Sequence, residues 1–240
     1  MISERRILFF FPVFILAVLG SWCPAQESRL NALSETEQKA GWKMLFDGKT
    51  LNGWRAYGKP SPPSHAWKIE NGVLTHLRGA KQGDMMTVEV FDDFEFSWEW
   101  SMPPESNSGI KYFITEERKA TIGHEYQMID DRLVTDHDLS SCGSFYLVVA
   151  PKTPKPLKPW GEWNHSRVIV QGNHVEHWLN GEKLLEYTCG DPKILAQVDS
   201  TKFKGIKDFG RKVPGHILLT SHNDQASFRN LKIRRLPMPK

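Results

Sequence analysis

The chain has few cysteines, almost no excess charge and, after its first twenty residues, no long apolar run. Its three cysteines, Cys23, Cys142 and Cys189, show no metal-binding spacing, which removes zinc-ribbon and iron–sulfur readings. Lys and Arg number 31 against 28 Asp and Glu. That balance argues against a phosphate-tracking surface, and no acidic tail is present. No nucleic-acid partner is expected, and the basic end Lys232-Ile233-Arg234-Arg235 alternates like a strand with a solvated face. G-x-S-x-G, P-loop and H-E-x-x-H motifs are missing, and with them three common routes to hydrolysis. The E-x-D-x-E pattern of a laminarinase-like retaining glycosidase is also missing. Glu125-x-Gln127 has one acid where a retaining pair needs two carboxyls about 5 Å apart.

What is present begins with a leader. Arg5 and Arg6 precede the apolar run Ile7–Gly20, and Ser21–Ala25 supplies small residues before Gln26. This is the layout of a secretory signal peptide over 1–25, and the run is short for a membrane-spanning helix. The expectation is export to the periplasm or outside the cell. An uncleaved anchor is the alternative; a lipoprotein at Cys23 fits less well because Trp22 is bulky. The mature chain keeps 29 basic against 27 acidic residues. Export would permit a Cys142–Cys189 disulfide, with two buried thiols as the alternative.

Residues 26–40 read as an N-terminal extension with a short helix, because Ser34 and Glu37 have capping-box spacing. From residue 41 to 237 the texture is that of one all-β domain. Phe94, Phe96, Trp98 and Trp100 alternate with Glu95, Ser97, Glu99 and Ser101. Asn71-Gly72 and Asn180-Gly181 are hairpin turns of type I′. Further strands are expected over 108–115, 124–129, 144–149, 166–171, 216–221 and 227–235. The proline-rich stretch 151–159 reads as a surface loop, and 192–209 as irregular chain with a short helix. Two packed antiparallel sheets follow, with jelly-roll connectivity as one option.

On a sandwich, an acid on the wet face is ordinarily just solvated. Clustering is what would give it a role. In Gly123–Asp131 (GHEYQMIDD), Tyr126 and Met128 face inward, so Glu125 and Gln127 share the outer face, with Asp130 and Asp131 at the strand exit. By the same alternation Lys111 and Phe113 look outward, and so does Glu99. If those strands are neighbours, acids, an amide, a cation and a ring meet on one surface able to hold a sugar and move a proton. Asn107-Ser108-Gly109 reads as a turn or as a rim loop whose amide binds hydroxyls. Trp160 and Trp163 read as core or as sugar-stacking platforms, and His222 as structural or as a proton-transfer group.

These pieces also occur in a familiar order. Gly41–Trp54 (GWKMLFDGKTLNGW) resembles the opening of the 3-keto-disaccharide hydrolase family. The resemblance continues through Trp67–Leu74, DFEFSWEW, NSGIKYF, EYQMIDD, Gly161–Asn164 (GEWN), VEHWLNG and FRNLKIR, covering nearly the whole mature chain. It implies a concanavalin A-like jelly roll with a concave sugar-binding face. It implies action on 3-keto-glycosides made by a partner sugar 3-oxidoreductase, by β-elimination and water addition. In that reading Glu125 is the proton-transfer or binding acid. Lys111 stabilises charge on the C3 oxygen, and His222 is the third catalytic candidate. Glu99, Asn107, Gln127, Asp130, Trp163 and Asn164 are the expected substrate-binding residues. Ser221 stands where the family often has an aspartate before the histidine, which puts that acid's orienting role in doubt. The loop 131–145 also departs from the usual form, which bears on substrate range.

No cofactor and no stable protein partner are expected. A structural calcium ion on Asp130, Asp131, Asp136 and Asp138 is the one cofactor alternative, although their spacing is not that of an EF-hand. The leading reading is an exported enzyme cleaving 3-keto-glycosides. The alternatives are a non-catalytic carbohydrate-binding module of the same fold and an ordinary glycosidase acting on unoxidised glycans.

Overall fold

The computed structural model describes residues 30–135 and 137–238. The leader, its cleavage site and Asp136 lie outside the described residues. Helix α1 (Glu35–Lys39) starts on the expected capping box. Ser34 Oγ accepts from Glu37 N, and Glu37 Oε2 accepts from Ser34 N.

Strands then follow in chain order: β1 (Lys43–Met44), β2 (Trp54–Ala56), β3 (Trp67–Glu70), β4 (Val73–His76), β5 (Met85–Thr87), β6 (Phe94–Ser101), β7 (Asn107–Ile114) and β8 (His124–Ile129). After a long loop come β9 (Asn164–Gln171), β10 (His174–Leu179), β11 (Glu182–Thr188), helix α2 (Pro192–Asp199), β12 (His216–Leu219) and β13 (Ala226–Arg235). Both Asn-Gly pairs turn as expected: Asn71 and Gly72 have φ of 51° and 77°, and Asn180 and Gly181 46° and 89°.

The strands form two antiparallel sheets, a jelly-roll sandwich. One runs β11-β10-β9-β6-β13-β4-β3, with β1 also paired to β13; the other runs β2-β5-β12-β7-β8. The aromatic face of β6 is fully buried between them, and Trp98 meets Tyr126 of β8 edge-on at 5.0 Å between ring centres.

Two expected features differ. Residues 144–149 form no strand; Phe145 makes single bridges to Tyr126 and Val149 while the chain turns. Phe113 does not face outward. Its backbone takes φ 60°, the pairing of β7 with β12 slips there, and the ring drops into the core. The alternation breaks, which sends Ile114 to the outer face with Met86 and Leu218. Cys142 and Cys189 are both buried and form no disulfide with each other, and burial pushes the Cys189 thiol up to about 12.

The core also contains a chain of polar groups. Gly210 N–H donates to His124 Nε2 at 3.0 Å, so His124 carries its proton on Nδ1 and gives it to Tyr187 Oη at 2.8 Å. Tyr187 bonds to Tyr112 at 2.7 Å, and Tyr112 to His177 Nε2 at 2.8 Å. His177 Nδ1–H ends the chain on Gly143 O at 3.0 Å. The two backbone groups fix the direction of every proton between them, and both imidazoles are neutral.

Burial depresses both histidines: His124 falls well below its ordinary value, and His177 drops from 6.5 to about 4. Unfolding at mildly acid pH therefore takes up protons. This stabilisation is complete above pH 6.5 and is lost as pH falls toward 4. Each such histidine should lower unfolding free energy by about 1.4 kcal/mol per pH unit in that window. Denaturant titrations between pH 7 and 5 measure the slope. In H177Q the slope should be shallower by one histidine's worth, whatever the variant's overall stability. Equal slopes would show that His177 is not the group.

Candidate active site

The expected site gathers on the outer face of the five-stranded sheet. Register places Lys111 opposite Glu125 and Gly109 opposite Gln127. Period-two alternation then puts all four, with Asn107, on one face. Asn107, Lys111, Glu125 and Gln127 line a cavity of about 360 Å³. His222 joins them from the loop after β12. That loop is pinned by Thr220 N to Gly109 O at 3.0 Å and by Ser221 N to Asp84 Oδ1 at 2.9 Å. Asp224 of the same loop accepts from Asn107 N at 3.1 Å.

Glu125 sits at the centre and is 7% exposed. Lys111 Nζ lies 3.9 Å from Oε2, and His222 Nε2 lies 3.9 Å from Oε1. Those distances are within Coulombic reach and beyond hydrogen bonding. Among the described residues, buried Oε1 has no hydrogen-bond partner, and neither does Oδ1 of Asn107. Buried acceptors are normally paired. Two unpaired ones on one cavity wall make a place for the O–H, N–H or acidic C–H of a ligand. The room for Oε1 comes from Gly109: a Cβ there would lie 2.5 Å from it.

The rest of the lining comes from loops. Ala120–Gly123 arrive from the loop before β8, Tyr146 from the loop after it, and Lys202 and Phe203 from the turns after α2. Tyr146 is seated by its own backbone, whose N–H donates to Glu125 O at 3.1 Å. Gly143 N and Ser144 O bond Gln127 likewise, so residues 143–146 cover the free edge of β8. Phe203 stacks on Phe209 at 4.2 Å and meets Tyr146 edge-on at 6.4 Å. Lys202 and Phe203 lie in chain with no hydrophobic period, and Tyr146 lies in a stretch that reads as a strand but turns, so only the fold brings them here.

Four expected binding residues are elsewhere. Glu99 is on β6 in the other sheet, where it accepts from Arg229 Nε at 2.7 Å and Asn230 Nδ2 at 2.8 Å. Alternation gave its face correctly but not its sheet. Trp163 is half-buried beneath the Arg229 guanidinium, 4.0 Å from the ring centre. Asn164 is 2% exposed and ties Lys158 N and Asn180 Nδ2 together. Asp130 is buried under Arg132 and also accepts from Glu105 N, and these donors, Arg132 first, hold it down to about 2. It braces the strand exit and does not line the cavity.

The three described carboxylates of the calcium alternative already have partners. Asp130 is held by Arg132. Asp131 pairs with Lys155 and accepts from Cys142 N at 2.7 Å, and Asp138 accepts from Ser140 N and Oγ. His174, Glu176 and Glu186 do converge on the other sheet, with Lys183 already bonded to both glutamates at 3.2 and 2.6 Å.

The family described as 3-keto-alpha-glucoside-1,2-lyase-like domain matches residues 41–234. A Bacteroides thetaiotaomicron protein named 3-keto-disaccharide hydrolase is 30% identical over 244 residues, covering 87% of this chain and 83% of its own. A solved Parabacteroides distasonis structure described as a candidate glycosyl hydrolase is 31% identical with a TM-score of 0.78. That alignment spans 87% of this chain and all of the other. A second structure from the same organism, also described as a candidate glycosyl hydrolase, is 26% identical with a TM-score of 0.63. It covers 81% of this chain and 99% of the other.

The glycine opposite Gln127 generates a direct test. Ordinary contact needs about 3.4 Å, and a methyl at 109 finds Oε1 at 2.5 Å. In G109A the carboxylate should retreat by about 1 Å, enough to cost on the order of 10²-fold in any reaction it serves. A crystal structure of G109A and its turnover rate check this. An unmoved Glu125 or undiminished turnover would overturn it.

Proposed function

The chain belongs to the 3-keto-alpha-glucoside-1,2-lyase-like family, and from that premise we propose that it is an exported enzyme cleaving the glycosidic bond of 3-keto-glycosides. One observation carries the reading. A single buried carboxylate, Glu125, points an unpartnered oxygen into a sugar-sized cavity between an amine and an imidazole. Among the described residues no second carboxylate lines that cavity.

This equipment suits elimination better than ordinary glycoside hydrolysis, which uses two carboxyls. A ketone at C3 acidifies the hydrogen on C2. Glu125 Oε1 takes that proton, and the electron pair moves toward the C3 oxygen. Lys111 offsets the negative charge developing there. The enolate then collapses, the C1–O bond breaks, and the leaving oxygen takes up a proton. His222, beside Oε1, is the residue placed to relay it. Water adds to C1 of the resulting enone and a proton returns to C2, so the sum is hydrolysis. Asn107 and Gln127 orient the ring through its hydroxyls.

The substrate requires an earlier oxidation at C3, so a sugar 3-oxidoreductase must act upstream. No stable complex with it, no nucleic-acid partner and no cofactor are needed. Export through the 1–25 leader is part of the same proposal; a mature mass starting near Gln26 would support it.

The test offers the purified mature protein a glucoside and its 3-keto derivative. Aglycone release from the keto compound alone is expected. In E125Q, kcat/KM should fall by about 10²- to 10⁴-fold. Turnover of the plain glucoside would sink the keto requirement. Binding of either compound with turnover of neither would make the domain a binding module. Unchanged turnover in E125Q would remove Glu125 from proton transfer.

A further inference from the structure

The loop-built wall of the same cavity carries its own chemistry. Tyr146 and Phe203 are held in place, one by its backbone bond to the strand of Glu125 and the other by its stack on Phe209. Lys202 is held by neither device. It is exposed, its Nζ rests 4.8 Å from the Tyr146 ring centre and 5.4 Å from that of Phe203, and it makes no ion pair with any described residue. Ile122 adds apolar surface on the same cavity.

The charge of the cavity is lopsided. Its lining contains two lysines, Lys111 and Lys202, and one acid, Glu125. Lys111 is already opposed by Glu125; Lys202 rests on two ring faces and makes no ion pair with any described residue. A cation resting on aromatic faces is weakly held where water reaches it. An incoming anion can therefore recruit it at little cost, while a flat apolar group packs against the fixed rings.

We propose that this wall is the leaving-group subsite, and that it selects glycosides whose aglycone is flat, apolar and negatively charged, with Lys202 pairing the charge. The proposal rests on the reading of Glu125 as the base acting on a 3-keto-glycoside. The sugar sits against Glu125, Asn107 and Gln127, and the aglycone leaves across Tyr146 and Phe203. Lys202 is a specificity residue here and takes no part in proton transfer.

The experiment compares 4-carboxyphenyl and 4-carbamoylphenyl 3-keto-glucosides, near-isosteres that differ in charge, with wild-type protein and K202M. The ratio of kcat/KM for the anionic over the neutral substrate is read in each protein, which cancels intrinsic leaving-group differences. The wild-type ratio should exceed the K202M ratio roughly two- to five-fold, as for one solvent-exposed ion pair. The excess should shrink in 0.5 M salt. Equal ratios overturn the subsite while leaving the 3-keto reaction intact. If wild-type protein cleaves neither keto compound, the reaction itself is wrong. Calorimetric binding of the two unoxidised glucosides then reads the wall directly. A preference for the carboxylate that K202M abolishes supports it, and no preference overturns it.

Discussion

Strand β8 is buried on both faces, and the molecule depends on its register against β7. All six residues from His124 to Ile129 are shielded. His124, Tyr126 and Met128 fill the sandwich, while Glu125 and Gln127 fill the cavity wall. A slip of one residue would exchange the two sets. Glu125 would enter an aromatic core without a partner, at the cost of burying an unpaired charge. Core and site therefore specify the same pairing from opposite sides of one backbone.

The two outer faces of the sandwich are used differently. On the eight-stranded sheet, Glu95 bonds Arg167 and Arg234, Glu99 bonds Arg229, and Lys232 reaches Glu37 of α1. Trp42, Trp163 and Trp178 lie under cations of the same layer. Its charges are matched internally. On the five-stranded sheet the corresponding layer is left open around Glu125, whose neighbours approach without bonding it. The candidate site lies where the polar pairing is incomplete, and buried acceptors are normally paired.

Much of this was legible in the chain. Alternation placed Glu125, Gln127 and Lys111 on one face, and the Asn-Gly pairs placed two hairpins. What alternation cannot supply is which strands share a sheet. Glu99 has the right period and the wrong neighbours, because the pairing of β6 with β9 and β13 is long-range. Phe113 was misread because a bulge is a tertiary event, triggered where β7 meets β12. Trp163 and Asn164 sit in a motif that belongs to the fold, one under a guanidinium and the other tying loop to strand. Lys202 and Phe203 escaped notice because irregular chain carries no period to read, and Tyr146 because 144–149 reads as a strand where the chain in fact turns beside β8.

The buried chain from Gly210 to Gly143 has a further consequence. With a backbone donor at one end and a backbone acceptor at the other, its hydroxyl and imidazole protons have one arrangement only. All four side chains are buried: Tyr112, His124 and His177 are 0% exposed and Tyr187 6%. Those protons can trade places with solvent only when the two sheets part. They are an internal clock for opening of the sandwich as a whole, set by global stability rather than by the motion of any loop.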